Sequence, residues 1–335
     1  MKKLIIIIAL FMVVSLGLGG CSQNQEAGKP IGVAVEFTDH AACAYIAQDK
    51  GYFTEAGLKL SAYESYVTGV ALAAALARGD IQVAYICLAP AISAYANAGI
   101  PLKIVAGTHK YGYGLAVNAD KIKTIGDLAK TGIRIGCVQP GTASDIFLHQ
   151  IIDKHSLHQE VVLKNIQQMN PPKQILAIQS GKLDAVIIPE HWSTMAESLG
   201  FKMLLTARDV WPGMQGSVLI VKNELIDRQP ELVRKLVDIS QKATALALED
   251  PGEAAEIMAR QLRIAGDHVF PREVAGTVQQ LEITPAIMLR SMERLEYDTG
   301  IDHAVIQNTI DYMRSLGYIK NSFKAEDILD LRFLK

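Results

Sequence analysis

The stretch CVQPGTASDIFLHQIIDKH, Cys137 to His155, sets the grammar of the chain. An apolar run from Ile133 to Val138 stops at Gln-Pro-Gly-Thr-Ala-Ser-Asp, and apolar residues then recur at helical spacing. A glycine-containing turn between strand and helix can cradle a phosphate, expose a nucleophile, or simply cap the helix. This one lacks the glycine and lysine spacing of a phosphate loop and the G-x-S-x-G of a hydrolase elbow. Gly141, Thr142 and Ser144 still offer amides and hydroxyls at a helix N-terminus, where a small anion or polar head is well held. Helix capping by Thr142, Ser144 or Asp145 explains the same residues.

The same order extends on both sides of this stretch. Ile31–Phe37, Leu58–Tyr63, Ile81–Cys87 and Leu102–Gly107 have strand character, with helical patterns over Ala41–Glu55, Gly69–Arg78 and Pro90–Ala98 between them. After the quoted helix come a strand near Val161–Gln167, a helix over Pro172–Ser180, and strands at Ala185–Pro189 and Lys202–Thr206. Strands alternating with helices of about ten residues predict α/β architecture with parallel sheets. Tyr113–Asn118 and Ser217–Lys222 stand apart as a matched pair of apolar strands, each followed by a charged helix start. They are expected to cross between two lobes. From Gln229 onward the spacing is helical, over Pro230–Leu248, Gly252–Leu262, Arg272–Leu281, Pro285–Glu296 and His303–Leu316. Prolines 230, 251, 271 and 285 fall where a first helical turn tolerates them. These helices are expected to form an extension packed on lobe one. The resulting division is 30–114 with 215–335 as lobe one, and 115–214 as lobe two.

The chain has 335 residues, half of them hydrophobic, enough for two domains with a sizeable core. Aromatics make up only 6%, which argues against a carbohydrate groove or a stacking platform for bases. The net charge is −2 and no basic stripe appears, so nucleic acid is not the expected partner. Residues 1–20 differ from the rest: Lys2 and Lys3 precede an unbroken apolar run, Leu4–Val14, and then small residues. This has the form of a secretory signal, too short for a flanked membrane span. It ends in Leu18-Gly19-Gly20-Cys21, which resembles the bacterial lipobox: small residues admit a peptidase and the Cys21 thiol takes the lipid. Residues 21–29 then read as a polar tether, placing the protein at the outer face of the cytoplasmic membrane or in the periplasm. Beyond Cys21 there remain Cys43, Cys87 and Cys137, an odd number that implies no disulfide framework. Cys43, Cys87, His40 and His191 have no CxxC or HExxH spacing, so no metal is expected, and small buried hydrophobes are the default for the cysteines.

Several segments together resemble the nitrate/sulfonate/taurine class of ABC-importer substrate-binding proteins. They are AYIAQDKGYFTEAGLKL (44–60), TGVALAAALARGDIQVAYI (68–86), GIPLKIVAG (99–107), IGCVQPGTASD (135–145), ILAIQSGKLDAVIIPEHW (175–192) and LIDRQPELVRKLV (225–237). Relatives that bind thiamine-precursor pyrimidines belong to the same class. The likeness covers essentially the whole region after the signal. It implies a two-lobe periplasmic-binding-protein-like fold (type II) with two hinge crossings, and a small solute as ligand in the cleft. It also implies a permease and its ATPase as partners, a monomer, and no cofactor. A sensory receptor of the same fold is the alternative. A few relatives are thiamine-precursor enzymes, but the dense cysteine motif expected of them is missing, so no catalytic residue is assigned.

Ligands of open α/β sheets sit at the carboxyl ends of the strands. The residues just after each strand are therefore the candidates. Lobe one supplies His40, Thr68, Gly69, Ala89 and Tyr111. Lobe two supplies Gln139, Gly141, Thr142, Ser144, Asn170, Glu190, His191 and Trp192. His40 could equally be a turn residue, Tyr111 a packing residue, and Trp192 either a stacking platform or core. The class often has Glu-Pro-aromatic where this chain has Glu190-His191-Trp192. A carboxylate at Glu190 would disfavour a pure anion and suit an ammonium or amino-heterocycle, unless Glu190 pairs with a neighbouring helix.

Overall fold

The computed structural model describes residues 29–270 and 283–334. The signal, the lipidation position Cys21, nearly all of the tether and the helix expected over Arg272–Leu281 lie outside them. Among the described residues no helix is long and apolar enough to cross a membrane.

The strands are β1 (Ile31–Glu36), β2 (Leu60–Tyr66), β3 (Val83–Cys87), β4 (Leu102–Tyr111), β5 (Tyr113–Val117), β6 (Ile135–Cys137), β7 (Ile166–Gln168), β8 (Ala185–Pro189), β9 (Lys202–Thr206), β10 (Gln215–Lys222) and β11 (Leu295–Tyr297). The helices of the first half are α1 (Ala42–Asp49), α2 (Tyr52–Glu55), α3 (Gly69–Arg78), α4 (Leu88–Ala96), α5 (Ala143–Lys154), α6 (Gln159–Lys164), α7 (Pro171–Gln179), α8 (Glu190–Ser198) and α9 (Ala207–Val210). The rest are α10 (Asn223–Arg228), α11 (Pro230–Glu249), α12 (Pro251–Val269), α13 (Pro285–Met292), α14 (His303–Ser315) and α15 (Ala325–Ile328). A six-stranded sheet runs β11-β4-β10-β3-β1-β2, and a five-stranded sheet runs β7-β6-β8-β5-β9. Helices cover both, which gives the two-layered α/β arrangement of periplasmic binding proteins.

The sheets are mixed rather than parallel throughout. β1 pairs parallel with β2 and β3, and β6 parallel with β7 and β8. β10 is inserted antiparallel between β3 and β4, and β5 antiparallel between β8 and β9. These two insertions are the matched pair of the sequence. They do not span the lobes: each lies wholly in one sheet. Each enters its sheet directly after the chain has left the other, and so runs against its neighbours. One crossing is the sharp step at Gly112 between β4 and β5, and the other follows β9 through α9 to β10. Tyr111 and Gly112 have φ of 66° and 86°. A Cβ on Gly112 would stand 2.6 Å from His40 Nε2 and 2.8 Å from His109 Nε2, so the sharp crossing needs glycine there.

Other departures have local causes. The helix expected over Ala41–Glu55 is split at Gly51, whose φ of 70° turns the chain. The strand expected near Val161–Gln167 is α6 followed by β7. Only Val162 of that apolar run is buried, the pattern of a surface helix, and pairing with β6 begins at Ile166. The helix expected to reach Glu296 stops at Met292, because Leu295–Tyr297 adds to the edge of β4. Asn170 and Asp250 cap their helices: Asn170 accepts from the Lys173 amide at 3.1 Å and Asp250 from the Glu253 amide at 2.9 Å.

The helical C-terminal region is not confined to the first lobe. α11 and α12 pack on α1, and α13 packs on α12 and also on α8 beside the second sheet. Tyr312 reaches Asp153 with its hydroxyl, and Tyr318 does the same to Asp145. Each of two hydrophobic clusters draws on both sheets. Val33 and Val35 join Trp192 and Met195 in one, and Ala34 and Ile86 join Tyr113 and Phe147 in the other. The lobes therefore meet along continuous apolar surface, in a closed arrangement.

Candidate functional site

The carboxyl ends of β1, β3, β6 and β8 converge where the lobes face each other. Glu36, Thr68, Gly69, Tyr113, Thr142 and Ser144 line a cavity there of about 20 Å³. That is room for a single water and far below the several hundred Å³ of an organic-ligand pocket. A solute can enter only if the lobes part. A larger hollow of about 800 Å³ lies against Lys29, Asp80 and Arg228, at the opposite ends of the strands and beside the undescribed N-terminal segment.

Glu36 closes the lobe-one wall, and sequence reasoning missed it. Its Oε1 accepts from the Gly69 amide at 2.9 Å and its Oε2 from the Cys87 amide at 2.9 Å. These are the starts of α3 and α4. Burial pushes the carboxyl above its ordinary range, against the pull of the Cys87 and Gly69 donors. A Cβ on Gly69 would lie 2.7 Å from Pro90 Cγ and 3.3 Å from Glu36 Oε2, so only glycine lets α3 present its amide to this acid. The available signal was an acidic residue ending an otherwise apolar strand, IGVAVE, at its carboxyl end. Cys87 Sγ lies 2.9 Å from Tyr113 Oη and 3.8 Å from His40 Nδ1.

The lobe-two wall is the start of α5. Thr142 sits at the N-cap with no side-chain cap, its hydroxyl instead donating to the Gln139 carbonyl at 2.8 Å. Among the described residues the amides of Ala143 and Ser144 meet no acceptor, and the Ser144 hydroxyl has no hydrogen-bond partner, although Ser144 is 2% exposed. Gly141 is already engaged: its amide donates to Asp145 Oδ2 at 3.0 Å. Gln139 and Gly141 border a separate groove of about 320 Å³ with Tyr318 at the mouth.

Several sequence candidates are placed elsewhere. Thr68 does line the cavity, while its hydroxyl accepts from Ala71 as the cap of α3. Ala89 borders a void of about 10 Å³ beside Trp211. Asn170 is occupied as the cap of α7. Tyr111 holds the crossing, with its hydroxyl accepting from the Gly213 amide at 3.4 Å and Arg208 stacked 4.6 Å from its ring. Trp192 is core, 1% exposed, with Phe37 at 6.0 Å. Lys110 is bound to Glu296 at 2.8 Å and Asp298 at 3.2 Å.

His40, Glu190 and His191 belong to a buried polar seam between the lobes rather than to the cavity wall. His40 Nε2 lies 2.6 Å from the Gly112 carbonyl, which makes that nitrogen the donor, and burial lowers its pKa to about 4. His191 Nδ1 is 3.2 Å from Thr38 Oγ1 and 3.3 Å from Asp39 Oδ1. Ser291 donates to the other Asp39 oxygen. Although burial opposes it, the His191 contact holds Asp39 below the usual carboxylate range. Glu190 is engaged within the protein: it accepts from Arg294 Nη1 at 3.0 Å and from Thr194 at 3.2 Å. Arg294 also meets Glu197 at 2.7 Å, which in turn meets Arg290 at 3.0 Å. Burial outweighs Arg294 and raises Glu190 to about 7. Among the described residues no group of three or more histidine, cysteine or acidic side chains is placed to hold a metal.

Known proteins share this arrangement. The alkanesulfonate-binding protein SsuA of Xanthomonas axonopodis pv. citri, bound to MOPS, superposes with a TM-score of 0.72 at 17% identity, covering 91% of this chain and 100% of that one. The periplasmic nitrate-binding protein NrtA of Synechocystis PCC 6803 gives 0.72 at 15% identity, over 91% and 86%. At those identities the likeness is one of fold. A candidate binding protein of Brucella abortus (strain 2308) is 26% identical over 229 residues, 65% of this chain and 67% of its own. The NMT1-like family matches residues 28–262, and the chain belongs to that family.

Proposed function

We propose that the protein is an extracytoplasmic solute receptor of an ABC-type importer. It binds one small polar organic solute between its lobes and passes it to a permease driven by a separate ATPase. Lipid on Cys21 and the tether would keep it beside the membrane. The observation that carries this reading is the uncapped start of α5, whose Thr142, Ala143 and Ser144 border the cavity and face the carboxyl ends of the opposite sheet. Open amides and a hydroxyl at a helix N-terminus beside a cleft suit a small polar ligand. The fold relatives named for sulfonate and nitrate binding, and the Brucella relative, support the same reading.

Binding without chemistry fits the electrostatics. Cys87 and His40 approach each other, but burial and then the Glu36 charge push the thiol well above its ordinary range. The thiolate is the nucleophile, so this pair is set against attack. A thermal-shift screen of taurine, alkanesulfonates, nitrate, bicarbonate and aminopyrimidines tests the proposal, since a ligand specific to the native state raises stability by mass action. A hit whose shift disappears in Ser144→Ala supports it. A hit untouched by Ser144→Ala and Thr142→Ala places the site elsewhere.

A further inference from the structure

We propose that Glu36 makes this cleft select solutes that carry an N–H donor, an ammonium or a ring amino group, over simple anions such as nitrate or an alkylsulfonate. The inference rests on the cleft reading above and specifies its ligand.

Two helix N-termini, those of α3 and α4, point into the lobe-one wall. Their amides are the natural cradle for an oxyanion. Here they are spent: Gly69 and Cys87 both donate to Glu36, one to each carboxylate oxygen, at 2.9 Å. The wall therefore presents a carboxylate instead of donors. The two carboxylate oxygens have four acceptor positions between them; two take backbone donors and the Cys87 thiol takes a third, so one remains for a ligand. No cation on that wall offsets it. Thr68 accepts from Ala71 and keeps one hydroxyl proton, the Tyr113 hydroxyl lies against Cys87, and among the described residues no lysine or arginine lines the cavity. An anion seated there would face a buried carboxylate with no cation between them.

The opposite wall has the reverse polarity. The free amides of Ala143 and Ser144 and the Ser144 hydroxyl can all donate. The cleft is thus heteropolar, accepting on the lobe-one side and donating on the lobe-two side. It suits a molecule that donates at one end and accepts at the other, such as an amino acid-like zwitterion or an amino-substituted heterocycle. The sequence pointed to an amino ligand through Glu190. Glu190 is bound to Arg294, and Glu36 is the carboxylate that lines the cavity.

Titration calorimetry with matched probes decides the matter: taurine against ethanesulfonate, which lacks only the ammonium, and 4-aminopyrimidine against pyrimidine. One amino probe should bind wild-type protein about tenfold or more tighter than its amine-free partner, the weight of one hydrogen bond to a charged group. Which pair responds separates the zwitterion from the heterocycle. In Glu36→Gln that gap should close to within about threefold. Gln at 36 would turn an NH₂ toward the Gly69 or Cys87 amide, so its folding is checked by melting; if it does not fold, the wild-type comparison decides alone. Ethanesulfonate or nitrate binding as tightly as the amino probes overturns the role of Glu36 and leaves the cleft reading standing. A gap that persists in folded Glu36→Gln also overturns it. Binding of no probe, amine or anion, removes both.

Discussion

Replacing Arg294 by methionine should destabilise the protein by an amount that depends strongly on pH. Arg294 precedes β11 of the first sheet and binds Glu190 and Glu197 of α8, beside the second sheet, so it ties the lobes. Glu190 is 1% exposed and titrates near pH 7 rather than near 4.5. A raised pKa on an acid means that the native state holds the proton more tightly than the unfolded chain. Stability contributed by this group is therefore highest at low pH and falls as pH rises from about 4.5 to about 7, by about 3 kcal/mol for a shift of that size. Without Arg294 the native pKa rises further. At about pH 8 the unpaired Glu190 takes up a proton instead, which costs about 1.4 kcal/mol against its native pKa of about 7 and brings the total loss to about 2–3 kcal/mol. At about pH 5 Glu190 is neutral and loses little more than hydrogen bonds, about 1 kcal/mol. Glu197 retains Arg290 throughout. Urea unfolding of wild type and Arg294→Met at both pH values measures this. A penalty that is equal at the two pH values, or larger at pH 5, would refute the assignment of Glu190 as a buried acid compensated by Arg294.

Other outcomes follow from the same contacts. Gly112→Ala should lower the melting temperature through a loss of about 2 kcal/mol or more, from positive φ and the clash with His40 and His109; an unchanged melting temperature would mean that the crossing tolerates a side chain. Trp192→Phe should cost about 1–3 kcal/mol by leaving a core void and should not alter ligand affinity, because Trp192 packs and does not line the cavity; a loss of affinity without loss of stability would restore it to the site. Glu190→Gln should leave the preference among solutes unchanged, and a selective loss of amino ligands would contradict the Arg294 pairing. Iodoacetamide should leave Cys87 unmodified in the native protein, since the thiol is buried and held protonated; rapid modification would reopen a catalytic reading.

The two-sheet fold was legible because apolar periodicity reports burial, and burial is what separates Ile31–Glu36 or Ala185–Pro189 from the helices around them. Sheet polarity was less legible: Tyr113–Val117 and Gln215–Lys222 look alike as apolar strands whether they cross between lobes or insert antiparallel into one. On the site, taking residues after strand ends named Thr68, Gly69, Thr142 and Ser144, which line the cavity between the lobes. It could not tell an open donor from one consumed internally, which is the difference between Ser144 and Gly141. It passed over Glu36 because an acid inside an apolar strand is read as the strand's end and not as part of the cleft wall. It could not see that Glu190, His191 and Trp192 are engaged by Arg294, Asp39 and Phe37, which are more than a hundred residues away in sequence.

The central claim is that a solute binds between lobes that open and close, and a distance across the cleft tests it most directly. Leu163 on α6 and Leu248 on α11 are exposed on opposite lobes, while Cys43, Cys87 and Cys137 are buried and will not take a label. Spin labels on Leu163→Cys and Leu248→Cys, read by pulsed dipolar spectroscopy, report the separation. A cavity of about 20 Å³ cannot admit an organic solute without opening, so the account predicts a population with a longer separation in ligand-free protein. Addition of taurine or 4-aminopyrimidine should draw that population to the single short distance of the closed form. One fixed distance, unmoved by amino probes, ethanesulfonate and nitrate alike, would contradict it.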